Sequence, residues 1–482
     1  MLWFALRCAS LPLEIYSRAL RTHAPRSTTP FAVAGGTRAE IVACNEAARH
    51  LGVKHGMPVA AASALAGNLQ IVARDIAAEE AALERIAAWA MQFTPAVSIA
   101  RPAEVLLEIG SSLTMFGGLK ALWTELAAGL RTLGYAASVA CAPTPLGAQW
   151  FARAGLTVRL RHTDALRASL PDLPLHVMQA SPEMLELLRN IGAKNVSDCL
   201  ALPRDGLAQR LGPGFIDDLD RALGTLPDPR IFFTPPTLFK ATQPLPAPAA
   251  DAEMLLFASR RLLVDLCGFL AATARGAQRL TFTFSHHRAE ATKVALALVA
   301  ATRDAEHLTN VLRERLERTA LPEPATAIAL ESELLLPLAA RNLALLPDAG
   351  QQEEAATQLI ERLRARLGEA AVVGLKRYSD HRPECGWRMC PPGSEDRVAS
   401  ATAGRPLWLL AQPQALHEVT AMPCYDGRLT LLAGPERIES GWWDGRDVTR
   451  DYFVASNSAE ALLWIYRERN ANAGWFLHGF FA

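Results

Sequence analysis

The alternation of short apolar runs with long amphipathic helices constrains this chain more than any other feature. Along roughly the first 160 residues LWFALR is followed by a helical stretch near EIVACNEAARHLG and then by LQIVAR. A long helix from Ala77 to Phe93, the run VLLEIG, a helix over LKALWTELAAGLRTLG and the run ASVACA complete the pattern. Such short runs suit strands of one sheet, and helices with a single apolar stripe suit its cover. Around Pro182 the texture changes. The stretch SPEMLELLRNIGAKNVSDCLALPRDGLAQRLGPGFIDDLDRALG holds only helix-sized pieces broken by glycine, which predicts a small all-helical module. TLPDPRIFFTPPTLFK, rich in proline, reads as a linker. A helix, the strands RLTFTFSH and KVALALVA, a second helix and the strand ATAIALESE then predict a small sheet covered on one face by helices. From about Ala339 a further helix mixes with Trp- and Gly-rich stretches. The expected class is α+β and multidomain, as a length of 482 residues also requires.

Charge excludes a globally basic protein. Lysine and arginine total 49, aspartate and glutamate 49, so a nucleic-acid surface has to be local. The basic residues are 43 Arg against 6 Lys. Eight cysteines are scattered, and Cys385 and Cys390 in CGWRMC lack the second pair or the histidines of a zinc site. Reduced thiols, no apolar run of the ~18 residues a membrane span needs, and no signal-peptide pattern predict a cytoplasmic protein with no membrane association. Aspartate is nearly missing from the N-terminal region, where the first is Asp75 and the next Asp164.

Two segments carry DNA-binding chemistry. LLRNIGAKNVSDCLALP reads as helix, turn at Ile191-Gly192, helix, and RLGPGFIDDLDRALG repeats the scheme around Gly212 and Gly214. Glycine in such a turn lets the backbone approach a phosphate that the helix N-terminus holds, so Gly192, Lys194, Gly212 and Gly214 are predicted backbone-phosphate contacts. An ordinary helical bundle with glycine caps is the plainer alternative. In RLTFTFSHHR, alternation puts Leu and Phe on one face and Arg279, Thr281, Thr283 and Ser285 on the other, with His286, His287 and Arg288 beside them. That polar face is the second predicted DNA surface.

The order NEAARHLGVKHGMP, then EVLLEIGSS…FGG, then ASVACAPT, then the helical hairpins, resembles the Y-family of translesion DNA polymerases over roughly residues 1 to 335. The resemblance implies a palm over 1–165 with fingers inserted at about 12–74. It also implies a helix-hairpin-helix thumb over 166–232, an α/β little finger over 236–336 and an extra C-terminal partner-interaction region over 337–482. The tail motifs DHRPE, RPLWLL, GPERIESGWWDG, RDYF, WIYRER and WFLHGFFA resemble a bacterial mutagenesis-cassette branch of that family, since ordinary members lack them.

Carried over residue by residue, the resemblance implies a loss of chemistry. Polymerisation needs carboxylates that hold two Mg²⁺ ions. The first metal-binding Asp of the family falls on Ala5, the following acidic position on Arg7 and the aromatic gate on Ser10. The second motif falls on Ala103 and Glu104; Glu108 lies four residues on, and Glu104 itself reads as a solvated strand-edge residue. The triphosphate-binding Asn-Lys pair falls on Thr144 and Pro145, and a further Lys on Gln149. Arg49 keeps a nucleotide-binding identity, whereas its tyrosine neighbour falls on Glu46. The expectation is a non-catalytic DNA-binding scaffold of damage-induced mutagenesis, with no metal and no cofactor. One alternative is an active polymerase that uses Glu104, Glu108 or Glu14 at an unusual metal site; another is a docking protein that no longer binds DNA.

ARNLALLPDAG resembles a bacterial sliding-clamp-binding peptide, with Asn342, Leu343, Leu345 and Leu346 in the anchor places. The family further implies an error-prone replicative-type polymerase and a RecA-like accessory protein as partners. Trp442, Trp443, Trp464 and Trp475 read equally as interaction hot spots or as the core of a terminal domain.

Overall fold

The protein is described from a computed structural model over residues 1–18, 29–37, 39–338, 349–394, 404–469 and 474–481. Met1–Arg366 forms one compact unit and Leu367–Ala482 a second.

In the first unit an antiparallel sheet runs in the order Val97–Ala100, Glu104–Glu108, Trp3–Arg7, Ser138–Ala142. The central strand reads as an unbroken apolar run because both of its faces are covered. Phe4 and Leu6 pack with Ile86 and Trp89 of helix Ile76–Ala90 and with Leu126 and Leu130 of helix Leu119–Leu133. Trp3 and Ala5 pack on the opposite face with Trp150 and Phe151 of helix Pro145–Arg153.

A three-stranded sheet, in the order Glu40–Cys44, Phe31–Gly35, Gln70–Ala73, is inserted between the first strand and helix Ile76–Ala90. Here EIVAC is a strand, which corrects the helix expected over EIVACNEAARHLG. Ile41 and Val42 are β-branched and favour the sheet, and the helix starts later, at Glu46–His50, where the Asn45 side chain accepts a hydrogen bond from the Ala48 N–H at 2.9 Å.

Helices Pro182–Asn190, Val196–Ala201, Arg204–Leu211 and Pro213–Leu223 make up the helical module. Beyond it a second sheet runs in the order Thr292–Thr302, Arg275–Ser285, Ala325–Pro337, Lys240–Ala249, with helices Ala252–Ala272 and Ala305–Leu316 contributing to its core. Lys240–Ala249 was not expected to be a strand, because Pro244, Pro246 and Pro248 interrupt it. It lies at the sheet edge, where a missing N–H on the outer side removes no ladder bond. Helix Ala349–Leu367 starts beyond the expected boundary at 337 yet packs against this sheet. Its Glu361 carboxylate accepts from the N–H groups of Val299 at 2.6 Å and Ala300 at 3.3 Å and pairs with His307.

The second unit is built on a five-stranded antiparallel sheet in the order Trp408–Ala415, Trp475–Phe480, Leu462–Glu468, Val448–Ser456, Thr430–Ser440. Gly374–Arg377 and Trp387–Cys390 pair as a separate hairpin. Among the described residues no helix is long and apolar enough to cross a membrane.

Candidate functional site

The site begins with the register of the central strand. Arg7 stands directly opposite Glu104 on one neighbouring strand and Ser138 on the other. Glu104 is buried, with 2% of its side chain exposed, which corrects the solvated strand-edge reading. Its carboxylate is gripped on both oxygens by Arg153, Nε to Oε1 at 2.7 Å and Nη2 to Oε2 at 2.8 Å, while Gln149 Nε2 donates to Oε2 at 2.7 Å. Arg153 Nη1 also donates to the Val177 carbonyl at 3.0 Å. Gln149 and Arg153 reach one carboxylate because they lie four residues apart on the same face of helix Pro145–Arg153.

The other two glutamates offered by the sequence are also committed. Glu108 Oε1 accepts from the N–H of Leu2 at 3.2 Å and of Gly110 at 3.1 Å. Glu14 is fully buried and accepts from the Ala136 N–H at 3.0 Å. Four residues of extended strand separate Glu104 from Glu108 by about 13 Å, whereas a two-metal site holds its ions about 4 Å apart. Ala5 is completely buried between Trp3 and Trp150 neighbours and supplies no donor. The residues present do not fit a pair of Mg²⁺ ions. Among the described residues, no cluster of three His, Cys, Asp or Glu is suited to hold a metal.

Thr144, at the Asn place of the triphosphate pair, is a structural residue. Its hydroxyl donates to the Ala222 carbonyl at 2.8 Å and accepts from the Gly147 N–H at 3.1 Å, which ties the start of helix Pro145–Arg153 to helix Pro213–Leu223. Gly147 is required there, since a Cβ would lie 2.5 Å from the Thr144 hydroxyl. Pro145 occupies the first helical turn, where its missing N–H costs nothing. Ser10 precedes helix Leu11–Ser17 without a side-chain capping bond. Arg49 is exposed on helix Glu46–His50, and Glu46 pairs with His50 at 3.7 Å.

The two helical turns differ. At the first, Gly192 has φ +89°, but the N–H groups of Lys194 and Asn195 donate to Asp198 Oδ2 at 2.7 and 3.0 Å. Those bonds, from Asn195 first and then Lys194, hold the Asp198 carboxyl below its ordinary value, so this turn carries its own anion. Lys194 remains exposed. At the second turn Gly212 has φ +86°, and a Cβ built on Gly212 or Gly214 meets nothing within 4 Å, as is also true of Gly192. Both turns are open, and the difference between them is the Asp198 carboxylate at the first.

On the sheet Arg275–Ser285, Leu280, Phe282 and Phe284 are fully buried, and Arg279, Thr281, Thr283 and Ser285 face outward. The same outer face carries charges that the sequence reading missed. Glu333 lies 4.0 Å from Arg279 and accepts from the Thr281 hydroxyl, and Glu331 pairs with Lys240 at 2.5 Å. His286 Nε2 is hydrogen-bonded to the Thr292 hydroxyl at 2.9 Å, and the N–H of Arg288 donates to Glu323 at 3.1 Å. Asn342, Leu343, Leu345 and Leu346 lie outside the described residues.

In the second unit the four tryptophans divide. Trp464 and Trp475 are core, whereas Trp442 and Trp443 are 81% and 57% exposed. Arg382, buried, holds their loop through Asp444, Nη2 to Oδ2 at 2.7 Å and Nη1 to Oδ1 at 3.0 Å, and donates to the Arg446 carbonyl at 3.0 Å. DHRPE and GWWDG thus meet in one ion-paired cluster.

The impB/mucB/samB family model matches residues 16–153. Protein ImuB of Caulobacter vibrioides, strain NA1000 / CB15N, is 28% identical over 458 residues, covering 89% of this chain and 100% of the relative. The protein of the same name from strain ATCC 19089 / CIP 103742 / CB 15 matches to the same extent. Among solved structures, the Y-family DNA polymerase chimera Dbh-Dpo4(243-245)-Dbh is 17% identical and covers 69% of this chain and 98% of its own, with a TM-score of 0.41. DinB from Sulfolobus solfataricus is 15% identical and covers 70% and 100%, with a TM-score of 0.38.

Proposed function

We propose that this chain, which is similar to Protein ImuB of Caulobacter vibrioides and matches the impB/mucB/samB family model, is a DNA-binding scaffold of damage-induced translesion synthesis and mutagenesis that does not itself polymerise. The observation that carries this reading is the fate of the three glutamates. Glu104 is closed by Arg153 and Gln149, Glu108 by two backbone N–H groups, and Glu14 is buried against Ala136. Phosphoryl transfer without a charge clamp on the attacking and leaving oxygens loses its main source of catalysis.

The grip on DNA is non-specific and directed at phosphates. The open turn at Gly212 and Gly214, exposed Lys194, Arg279 and Arg288, and the outward Thr281 and Thr283 support it. Glu331 and Glu333 on the sheet face limit its share. Binding to primer-template therefore weakens steeply as salt rises.

The scaffold links an error-prone replicative-type polymerase to the sliding clamp through the segment around Asn342–Leu346, in the cytoplasm. Trp442 and Trp443, large, exposed and held by Arg382, are a suitable surface for that polymerase or for a RecA-like accessory protein. The decisive experiment is primer extension by purified protein free of partner polymerases. Robust Mg²⁺-dependent incorporation overturns the non-catalytic reading. Leu345→Ala with Leu346→Ala is expected to weaken clamp capture while the protein stays folded, and unchanged capture moves the contact elsewhere.

A further inference from the structure

We infer that the end of strand Trp3–Arg7 is a metal-independent anion site in which the Arg7 guanidinium itself receives a phosphate oxygen. The inference deepens the scaffold reading and rests on it for the source of the phosphate. Two guanidiniums, Arg7 and Arg153, surround the single carboxylate of Glu104, which leaves one positive charge in excess. The two cations are not equivalent. Arg153 is 5% exposed and spends Nε, Nη1 and Nη2 on Glu104 and Val177. Arg7 is 32% exposed, and its nearest approach to Glu104 is Nη1 to Oε1 at 3.7 Å, an ion-pair distance beyond hydrogen-bond reach. Among the described residues its planar fork of donors makes no hydrogen bond, and it stands at the end of the central strand.

An Arg fork matches two oxygens of a phosphate, and each such bond is strengthened by charge. A carboxylate at position 7 would have met a phosphate only through a bridging cation; the guanidinium meets it directly. The neighbouring network fixes the site. Glu104 cannot capture Arg7 in a two-point pair, because Arg153 and Gln149 already occupy both carboxylate oxygens. The phosphate belongs to a primer-template backbone or to a free nucleoside triphosphate, and the two sources share this chemistry.

The test is equilibrium binding by the full chain, in excess EDTA, to a fluorescent primer-template across a salt series and separately to a deoxynucleoside triphosphate. Arg7→Ala is expected to weaken one of the two about three- to tenfold. For DNA it should also lower the log–log salt slope by about one phosphate contact. Arg7→Lys, which returns the charge without the fork, should restore only part of the affinity, and the wild-type values should be unchanged by EDTA. Equal thermal unfolding midpoints for the variants and wild type exclude a folding defect as the cause. Wild-type affinity for both probes in Arg7→Ala overturns the inference, as does wild-type binding that EDTA abolishes. If wild type binds the triphosphate through Arg7 but not DNA, the scaffold reading fails while the anion site stands. If DNA binding is tight and neither probe responds to Arg7→Ala, the anion site fails while the scaffold reading stands.

Discussion

Arg18 and Asp265, 247 residues apart, form a buried two-point ion pair, Nη2 to Oδ1 at 2.8 Å and Nη1 to Oδ2 at 3.1 Å. Arg18 ends helix Leu11–Ser17, and Asp265 lies within helix Ala252–Ala272, so the pair joins the helix that follows the first strand to a helix packed on the second sheet. Arg18 also donates through Nε to the Leu133 carbonyl at 2.9 Å and through Nη1 to the Tyr135 hydroxyl at 2.7 Å, and Arg85 approaches Asp265 at 3.4 Å. Burial opposes the charge on Arg18, but Asp265 outweighs it and holds the guanidinium firmly protonated. Removing one partner strands a buried charge, so Asp265→Ala should cost about 3–5 kcal/mol in urea unfolding. Replacing both residues with leucine should recover much of that loss. Equal stability of Asp265→Ala and wild type would show that the pair is not sealed from water.

Gly268 and Gly206 give opposite predictions for the same substitution. Trp89 of helix Ile76–Ala90 lies against Gly129 on one side and Gly268 on the other; a Cβ on Gly268 would meet Trp89 Cδ1 at 2.4 Å. A Cβ on Gly206, within helix Arg204–Leu211, meets nothing within 4 Å. Alanine gains about 1 kcal/mol over glycine in a helix interior, while overpacking costs about 1–3 kcal/mol. Gly206→Ala should therefore raise the unfolding midpoint, and Gly268→Ala should lower it and loosen the contact between these two helices. A stabilised Gly268→Ala would mean that the Trp89 ring has room to move.

The contrast between these residues and the sequence motifs explains how much was legible. The strands of the first sheet, their covering helices and the alternation of RLTFTFSH follow from local periodicity, and the four-helix module follows from its glycines. The closure of Glu104 was half legible: Gln149 and Arg153 sit at helical spacing, but their target is 45 and 49 residues away and reaches them only through sheet register. Nothing local announces Arg18–Asp265. The split of the tryptophans was readable in part, since Trp442 and Trp443 follow Gly441 in a turn whereas Trp464 and Trp475 lie in apolar strands. Arg382 as the clamp of that turn was not, because its partner Asp444 is 62 residues distant.

Placing a carboxylate at position 5 should not confer polymerase chemistry. Ala5 is completely buried, with Trp3, Leu106, Ala140 and Trp150 in the same cluster. An Asp there is sealed from solvent, and the cations on its face, Arg7 and Arg153, are already set against Glu104, so it either protonates or unfolds the strand. Ala5→Asp should lower stability by several kcal/mol and leave primer extension at the wild-type level. Any gain of Mg²⁺-dependent synthesis in Ala5→Asp would show that the first sheet holds a latent metal geometry.

The second unit should weaken in mild acid through His478. The ring is buried, its Nδ1 bonded to the Tyr452 hydroxyl at 2.8 Å and its Nε2 4.0 Å from Glu384. Trp464 stacks at 5.9 Å, Tyr466 meets the ring edge-on at 5.7 Å, and Arg450 is the nearby cation. Burial lowers the His478 pKa from its ordinary 6.5, Arg450 adds to that, and Glu384 opposes it. Because the folded value lies below the unfolded one, the unfolded chain binds more protons between them. Stability is then complete above pH 6.5, declines as pH falls below it, and stops declining under the folded value. A separate loss belongs below about pH 4, where Asp380 and Asp444, both held down by Arg382, and Asp451, held down by Arg437, take up protons. Amide hydrogen exchange in strand Leu462–Glu468, corrected for intrinsic rates, should therefore lose protection between pH 7.5 and 5.5 in wild type and stay flat in His478→Gln. The same pH dependence in both proteins would assign the step to another group.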